Sequence, residues 1–136
     1  MKSLFINTLK ELSNNNINYA LLRKPYNWVN TVDLDIIVEK SIKIDSKLNK
    51  LGYSKKCNSN TFIKYDFDYG KWIYIDINDP LKFGYYYADK SFFEELLKTK
   101  YLDQEGIYRI STTYEGILYL LHSAIDKGII SSKYRY

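Results

Sequence analysis

The sequence predicts a mixed α/β (α+β) domain, and three observations carry that reading. An apolar strand, Val32-Asp33-Leu34-Asp35-Ile36-Ile37-Val38-Glu39, opens with two aspartates. A second strand alternates strictly, with Ile73, Ile75 and Ile77 on one face and Trp72, Tyr74 and Asp76 on the other. Apolar residues at helical spacing lie at both ends of the chain. At 136 residues and 46% hydrophobic, the chain is near the commonest domain size and suits one shared core.

Taken in order, Leu4 or Phe5, Leu9 and Leu12 predict a helix from Ser3 to Ser13, ended by Asn14-Asn15-Asn16. Ile17 to Arg23 is a strand, and a loop with Pro25, Asn27 and Asn30 leads into the strand Val32 to Glu39. Ile44, Leu48 and Leu51 mark a short helix, with Ser41 as its cap and Gly52 as its stop. Thr61 to Phe67 and Lys71 to Ile77 are strands joined by a hairpin turn at Asp68-Tyr69-Gly70, and Asp79-Pro80 closes the second. After the aromatic stretch Phe83 to Tyr87, Ser91 with Glu94 forms a capping box for a helix through Leu97. A short strand follows near Tyr108. Thr112 with Glu115 is a second capping box, and Tyr114, Ile117, Leu118, Leu121 and Ile125 line one face of the final helix. This order is not the regular strand–helix alternation of a parallel sheet.

The N-terminus lacks the continuous apolar run of a signal peptide, and no stretch of the sequence is apolar enough to span a bilayer. A single cysteine, Cys57, excludes an internal disulfide and makes a reducing cytoplasm the expected compartment. The net charge of +4 is mild and suits an anionic ligand. Fifteen tyrosines offer base-stacking surfaces, but strand surface and partial core is the expected use of most. His122 is the only histidine; with one cysteine it makes no ordinary zinc site, and packing beside the final helix is its expected role.

The carboxylates carry the chemistry. Asp33 and Asp35 stand two residues apart on one strand, so they share a face at a spacing of roughly 6–7 Å. At an effective dielectric near 20, such charges repel by about 2–3 kcal/mol, so holding them together calls for a cation, a basic partner or solvent. Asp76, placed in an otherwise apolar strand, supplies a third carboxylate if the two strands are neighbours. Oxygen-only ligation with room for water suits Mg²⁺ or Mn²⁺, and one carboxylate can also assist deprotonation of a hydroxyl. The plainer alternative is that Asp33 and Asp35 cap a loop beside Lys24 or Lys40 and that Asp76 pairs with a lysine. Asp66 and Asp68 repeat the pattern beside the hairpin turn, where exposed polar residues are expected.

The segment from Asn18 to Glu39, "NYALLRKPYNWVNTVDLDIIVE", resembles the opening of nucleotidyltransferase-superfamily domains, especially the small members. Those domains place a strand, a loop and then a strand beginning Asp-x-Asp, with a third carboxylate on a later strand, matched here by "WIYIDI". The resemblance covers most of the chain, but only the aspartate motif is specific. It implies a nucleotidyltransferase-like mixed sheet flanked by helices, as one domain over 1–136, with or without a further C-terminal helical region. It also implies metal-dependent transfer of a nucleoside monophosphate from a nucleoside triphosphate to an acceptor the sequence does not name, be it a small molecule, a nucleic acid or a protein. Asp33, Asp35 and Asp76 are then the catalytic and metal-binding residues, with no membrane partner. Active members follow the first strand with a Gly-Ser or Gly-Gly turn that cradles the triphosphate. Here that position is Leu22-Arg23-Lys24-Pro25, so Arg23 and Lys24 are the expected phosphate contacts.

Three rival uses of the acids fail on pattern. In haloacid-dehalogenase phosphatases the acids end an apolar strand rather than open it. Sugar-nucleotide glycosyltransferases need a larger chain. Restriction-type nucleases need acid-x-lysine, which Glu39-Lys40 does not provide. A catalytically inactive module of the same fold, binding nucleic acid or protein, is the alternative from another class. The expected geometry is a cluster of Asp33, Asp35 and Asp76 on one solvent-facing side of the sheet, with the helices mainly on the other.

Overall fold

In the computed structural model, which describes residues 2–39, 43–83 and 85–126, a seven-stranded mixed sheet organises the chain. The first helix, α1 (Lys2–Asn14), buries Phe5, Leu9 and Leu12, a spacing that keeps one stripe against the sheet. It ends where Asn16 turns left-handed at φ 57 and the Ile17 amide donates back to the Leu12 carbonyl at 3.0 Å.

β1 (Tyr19–Leu21) then pairs antiparallel with β2 (Asp33–Val38), both shorter than the runs the sequence predicts. Next come α2 (Lys43–Lys50), β3 (Ser54–Lys55), β4 (Thr61–Asp66) and β5 (Lys71–Ile77). Gly52, at φ 85, stops α2 as expected, while its expected cap Ser41 lies outside the described residues. β4 and β5 form the predicted antiparallel hairpin, and β5 returns to lie parallel to β2. After a small separate pair, β6 (Lys82–Phe83) with β7 (Tyr86–Tyr87), come α3 (Lys90–Lys98), β8 (Tyr101–Leu102), β9 (Tyr108–Arg109) and α4 (Thr112–Leu121). α4 runs on into a π-helical turn, His122–Asp126. The strand order across the sheet is β3-β4-β5-β2-β1-β9-β8.

Both helices start from a cap earlier than the predicted capping boxes. Asp89, not Ser91, caps α3, its carboxylate accepting from the Ser91 amide at 2.7 Å. Ser111, not Thr112, caps α4, accepting from the Tyr114 amide at 3.4 Å. The reason is shared: an equally good side-chain acceptor precedes each predicted cap, Asp89 by two residues and Ser111 by one. Glu115 is used instead in an ion pair with Arg109 at 2.9 Å and as acceptor for the Tyr119 hydroxyl. The face predicted for the final helix is only partly covered: Leu118 is buried, Tyr114 and Leu121 are half-buried, and Ile117 and Ile125 are exposed.

The sheet carries a core on each side. On one, α1 and α2 cover Leu34, Ile36 and Val38 of β2 together with Phe62, Ile73 and Ile75. On the other, α3, α4 and β6 cover Ala20, Leu22, Ile37 and Ile110 with Leu81, Phe83, Leu96, Leu97 and Leu118. The expectation that helices lie mainly opposite the aspartates is therefore half met. Two helices share the aspartates' side of the sheet, because Ala20, Ile37 and Ile110 give that side an apolar end of its own. Ile63, Tyr65, Trp72 and Tyr74, on β4 and β5, belong to neither core.

Candidate functional site

The parallel pairing of β2 with β5 decides where the acids go. Its register sets Asp35 beside Asp76 and Asp33 beside Tyr74. Adjacent strands are about 4.8 Å apart, so the Asp35 and Asp76 backbones are direct neighbours. Leu34, Ile36 and Ile75 point into the core under α1 and α2, and alternation then turns Asp33, Asp35 and Asp76 to the opposite face. The three aspartates read from sequence thus share one side of the sheet. Asp33 is exposed, and Asp35 and Asp76 are half-buried. That side is the one closed at its far end by α3 and α4, so the acids sit at the limit of the cover.

Each of the two inner carboxylates has protein partners. The Thr61 hydroxyl donates to Asp76 Oδ1 at 2.5 Å, from the residue paired with Asp76 across the β4–β5 hairpin. The Asn78 side-chain Nδ2 donates to Asp35 Oδ1 at 3.4 Å, and the Arg23 guanidinium stands 3.8 Å from Asp35 Oδ2. Burial pushes the Asp35 carboxyl above the ordinary carboxylate range; the hydrogen bond from Asn78 and the charge of Arg23 pull it down, while the charges of Asp76 and Asp33 add to the rise.

Arg23 is brought there by the backbone: the Leu22 amide donates to the Asp35 carbonyl at 2.9 Å, extending the β1–β2 pairing by one step. Lys24 is not brought in with it. Its ammonium stands 3.7 Å from Glu105, on the β8–β9 turn. The loop between β1 and β2 is folded on itself by Asn27, whose side chain accepts from the Val29 amide at 2.9 Å and whose carbonyl accepts from the Thr31 hydroxyl at 2.7 Å. Trp28 anchors that loop, buried against Phe5.

Among the described residues, no three His, Cys, Asp or Glu side chains stand close enough together to hold a metal ion. The donor set of Asp33, Asp35 and Asp76 is nonetheless all oxygen, anionic and on neighbouring strands, which is the chemistry a hard divalent cation takes. Asp76 Oδ1 is engaged with Thr61, and Asp35 with Asn78 and Arg23, so ligation by Asp35 requires those two side chains to turn.

The remaining residues singled out from sequence lie elsewhere. Asp66, expected to be exposed, is buried and accepts from the Asp68 and Tyr69 amides at 3.0 and 3.4 Å, fastening the hairpin turn. Asp68 and Cys57 are exposed, and His122 is half-buried at the end of α4. Sequence reasoning missed Thr61 and Asn78. Both were within reach: Asn78 follows Asp76 by two residues on the same face, and the hairpin turn fixes Thr61 opposite Asp76. Among the described residues no helix is long and apolar enough to cross a membrane. No family model matches the chain, and no curated protein or solved structure matches it.

Proposed function

We propose that this domain is a metal-dependent nucleotidyltransferase, moving a nucleoside monophosphate from a nucleoside triphosphate to a hydroxyl or phosphate acceptor. The observation that supports it most is the register of β2 against β5, which sets Asp35 beside Asp76 with Asp33 two residues away. Asp33, Asp35 and Asp76 would hold Mg²⁺ or Mn²⁺, which supplies neutralisation of the triphosphate charge when bound. Arg23, already beside Asp35, is placed to donate to a phosphate oxygen. The acceptor oxygen attacks the α-phosphorus, forming a new P–O bond as the bond to pyrophosphate breaks. Asp76 Oδ2 takes the proton of an acceptor hydroxyl, Oδ1 being held by Thr61.

Binding measurements test this reading. ATP, GTP, CTP and UTP are titrated with Mg²⁺ present against the wild type, Asp35→Asn and the double variant Arg23→Ala/Lys24→Ala. At least one triphosphate should bind the wild type, and loss of a charge-assisted contact should weaken it by about tenfold or more. Arg23→Ala alone should account for most of that loss, because Lys24 is engaged with Glu105.

A second reading is favoured by one observation: Arg23 and Lys24 already face carboxylates, at 3.8 and 3.7 Å, where an active domain offers a phosphate cradle. In that reading the fold is a catalytically inactive module that binds nucleic acid or protein. Failure of every triphosphate to bind the wild type selects it.

A further inference from the structure

On β4 and β5 the face that carries Asp76 continues as an aromatic surface. Trp72 is 53% exposed, and Ile63, Tyr65 and Tyr74 are half-buried although they belong to neither core. Cross-strand register puts Tyr65 beside Trp72 and Ile63 beside Tyr74, then Thr61 beside Asp76. The rings are braced rather than loose: Tyr65 meets Trp72 edge-on at 5.3 Å and Phe67 edge-on at 5.0 Å. Trp72 stands four residues from Asp76, about 13 Å along the strand, so the surface is longer than one ring.

The charge of this face selects among ring-shaped ligands. Its acidic border is Asp33, Asp35 and Asp76, with Arg23 at the far side of Asp35. The lysine of β4 does not contribute: Lys64 is turned to the other face, its ammonium donating to the Leu51 carbonyl at 2.7 Å. Alternation puts Lys71 on that other face too, with Ile73. A polyanion such as a nucleic-acid strand meets repelling carboxylates here, and neither lysine of the β4–β5 hairpin compensates them. Carboxylates accept hydrogen bonds, so a ligand bordering them must donate from its edge while offering an apolar face to the indole. A neutral polyhydroxylated ring does both, with C–H groups on its face and O–H groups at its rim.

We propose that the Trp72–Tyr74 surface is a saccharide-binding subsite that presents a sugar hydroxyl to Asp76. As the acceptor end of the same site it rests on the nucleotidyltransferase reading, but its binding needs neither metal nor triphosphate. Trp28 is buried and Trp72 exposed, so Trp28→Phe leaves Trp72 as the sole tryptophan reporter. That variant is titrated, without metal, with neutral hexoses, N-acetylhexosamines and their disaccharides at millimolar concentration, and separately with uncharged nucleosides. The expected result is a saturable blue shift of Trp72 emission with protection from acrylamide for at least one saccharide. Calorimetry on Trp72→Ala, and on Asp76→Asn, should then show affinity for that saccharide falling by about tenfold or more. No saturable response to any saccharide, or a response to nucleosides alone, overturns the proposal. Saccharide binding by a chain that binds no triphosphate leaves the subsite standing and removes the transferase reading; triphosphate binding without saccharide binding does the reverse.

Discussion

The two faces of β2 are built from one backbone and do opposite things. On one, Leu34, Ile36 and Val38 are sealed beneath α1 and α2; on the other, Asp33 is exposed and Asp35 half-buried before Ile37 disappears under α3 and α4. The alternation of a strand makes this possible, since neighbouring residues experience different solvents. What the difference teaches is that stability and chemistry are separated by face as well as by position. The covered face tolerates no polar group without a partner, whereas the acids are placed where the helical cover stops and water can screen their repulsion. Substitutions on the two faces should therefore have effects of different size and different pH dependence.

The largest effect is expected on the covered face. Leu34→Ala empties a buried site between β2 and the helices and should destabilise the fold by about 2–5 kcal/mol, read by urea denaturation. A cost under 1 kcal/mol would show that this layer is loosely packed and that the comparison fails. Next is Tyr53→Phe in the same layer. The Thr8 hydroxyl donates to the Leu4 carbonyl at 2.9 Å, so at 3.0 Å it is Tyr53 that donates to Thr8. Losing that bond should cost about 1 kcal/mol. Burial also pushes the Tyr53 hydroxyl up from 10.0 to about 12. The native state then keeps a proton that the unfolded chain releases, so stability should fall as pH rises from 10.0 to about 12, and this part of the fall should be absent in Tyr53→Phe.

The same separation explains what could be read from the sequence. Strong periodicity made β2, β4, β5 and α1 legible, because a covered face leaves its imprint as spacing. Asp33, Asp35 and Asp76 were legible as exceptions to that imprint, carboxylates placed where an apolar strand gives no local reason for them. The short pieces were not: β3, β6, β7 and β8 have two residues each, too few to show alternation, and exist because longer strands or the opposite core hold them. The neighbours of the acids depend on long-range register. Arg23 reaches Asp35 through the backbone bond from Leu22, and Lys24, one residue on, goes to Glu105; no local pattern separates the two.

A smaller effect, and of opposite sign, is expected from the acids. Because the folded Asp35 carboxyl titrates above its ordinary value of 3.8, the native state holds a proton that the unfolded chain has lost. Asp35 thus lowers stability as pH rises through 3.8 toward its raised folded value, and the full penalty is present at neutral pH. Asp35→Asn should raise the melting temperature slightly at pH 7, and the gain should vanish below pH 3.8. Millimolar Mn²⁺ should raise the melting temperature of the wild type more than that of the variant, as native-state binding requires. A variant destabilised at neutral pH would mean that the Arg23 pair outweighs burial and crowding, and the open face would then contribute to stability after all.

The smallest effect should come from Trp72→Ala, although it removes a larger side chain than Leu34→Ala does. Size alone predicts the opposite order, so this pair of variants is the sharpest comparison of the two faces. Trp72 is 53% exposed and belongs to neither core, so truncation opens no internal cavity. What is lost is its edge contact with Tyr65 at 5.3 Å, a cross-strand aromatic pair of the kind that contributes about 0.2–1 kcal/mol. Urea denaturation should place the variant within about 1 kcal/mol of the wild type with an unchanged denaturant slope. A loss of 2 kcal/mol or more would show that Trp72 supports the hairpin itself, and its exposure would then need no ligand to explain it. A loss inside the expected range leaves an indole that the fold does not need, held by a braced ring on the face that carries the three carboxylates. That is the condition under which Trp72 is free to serve a ligand.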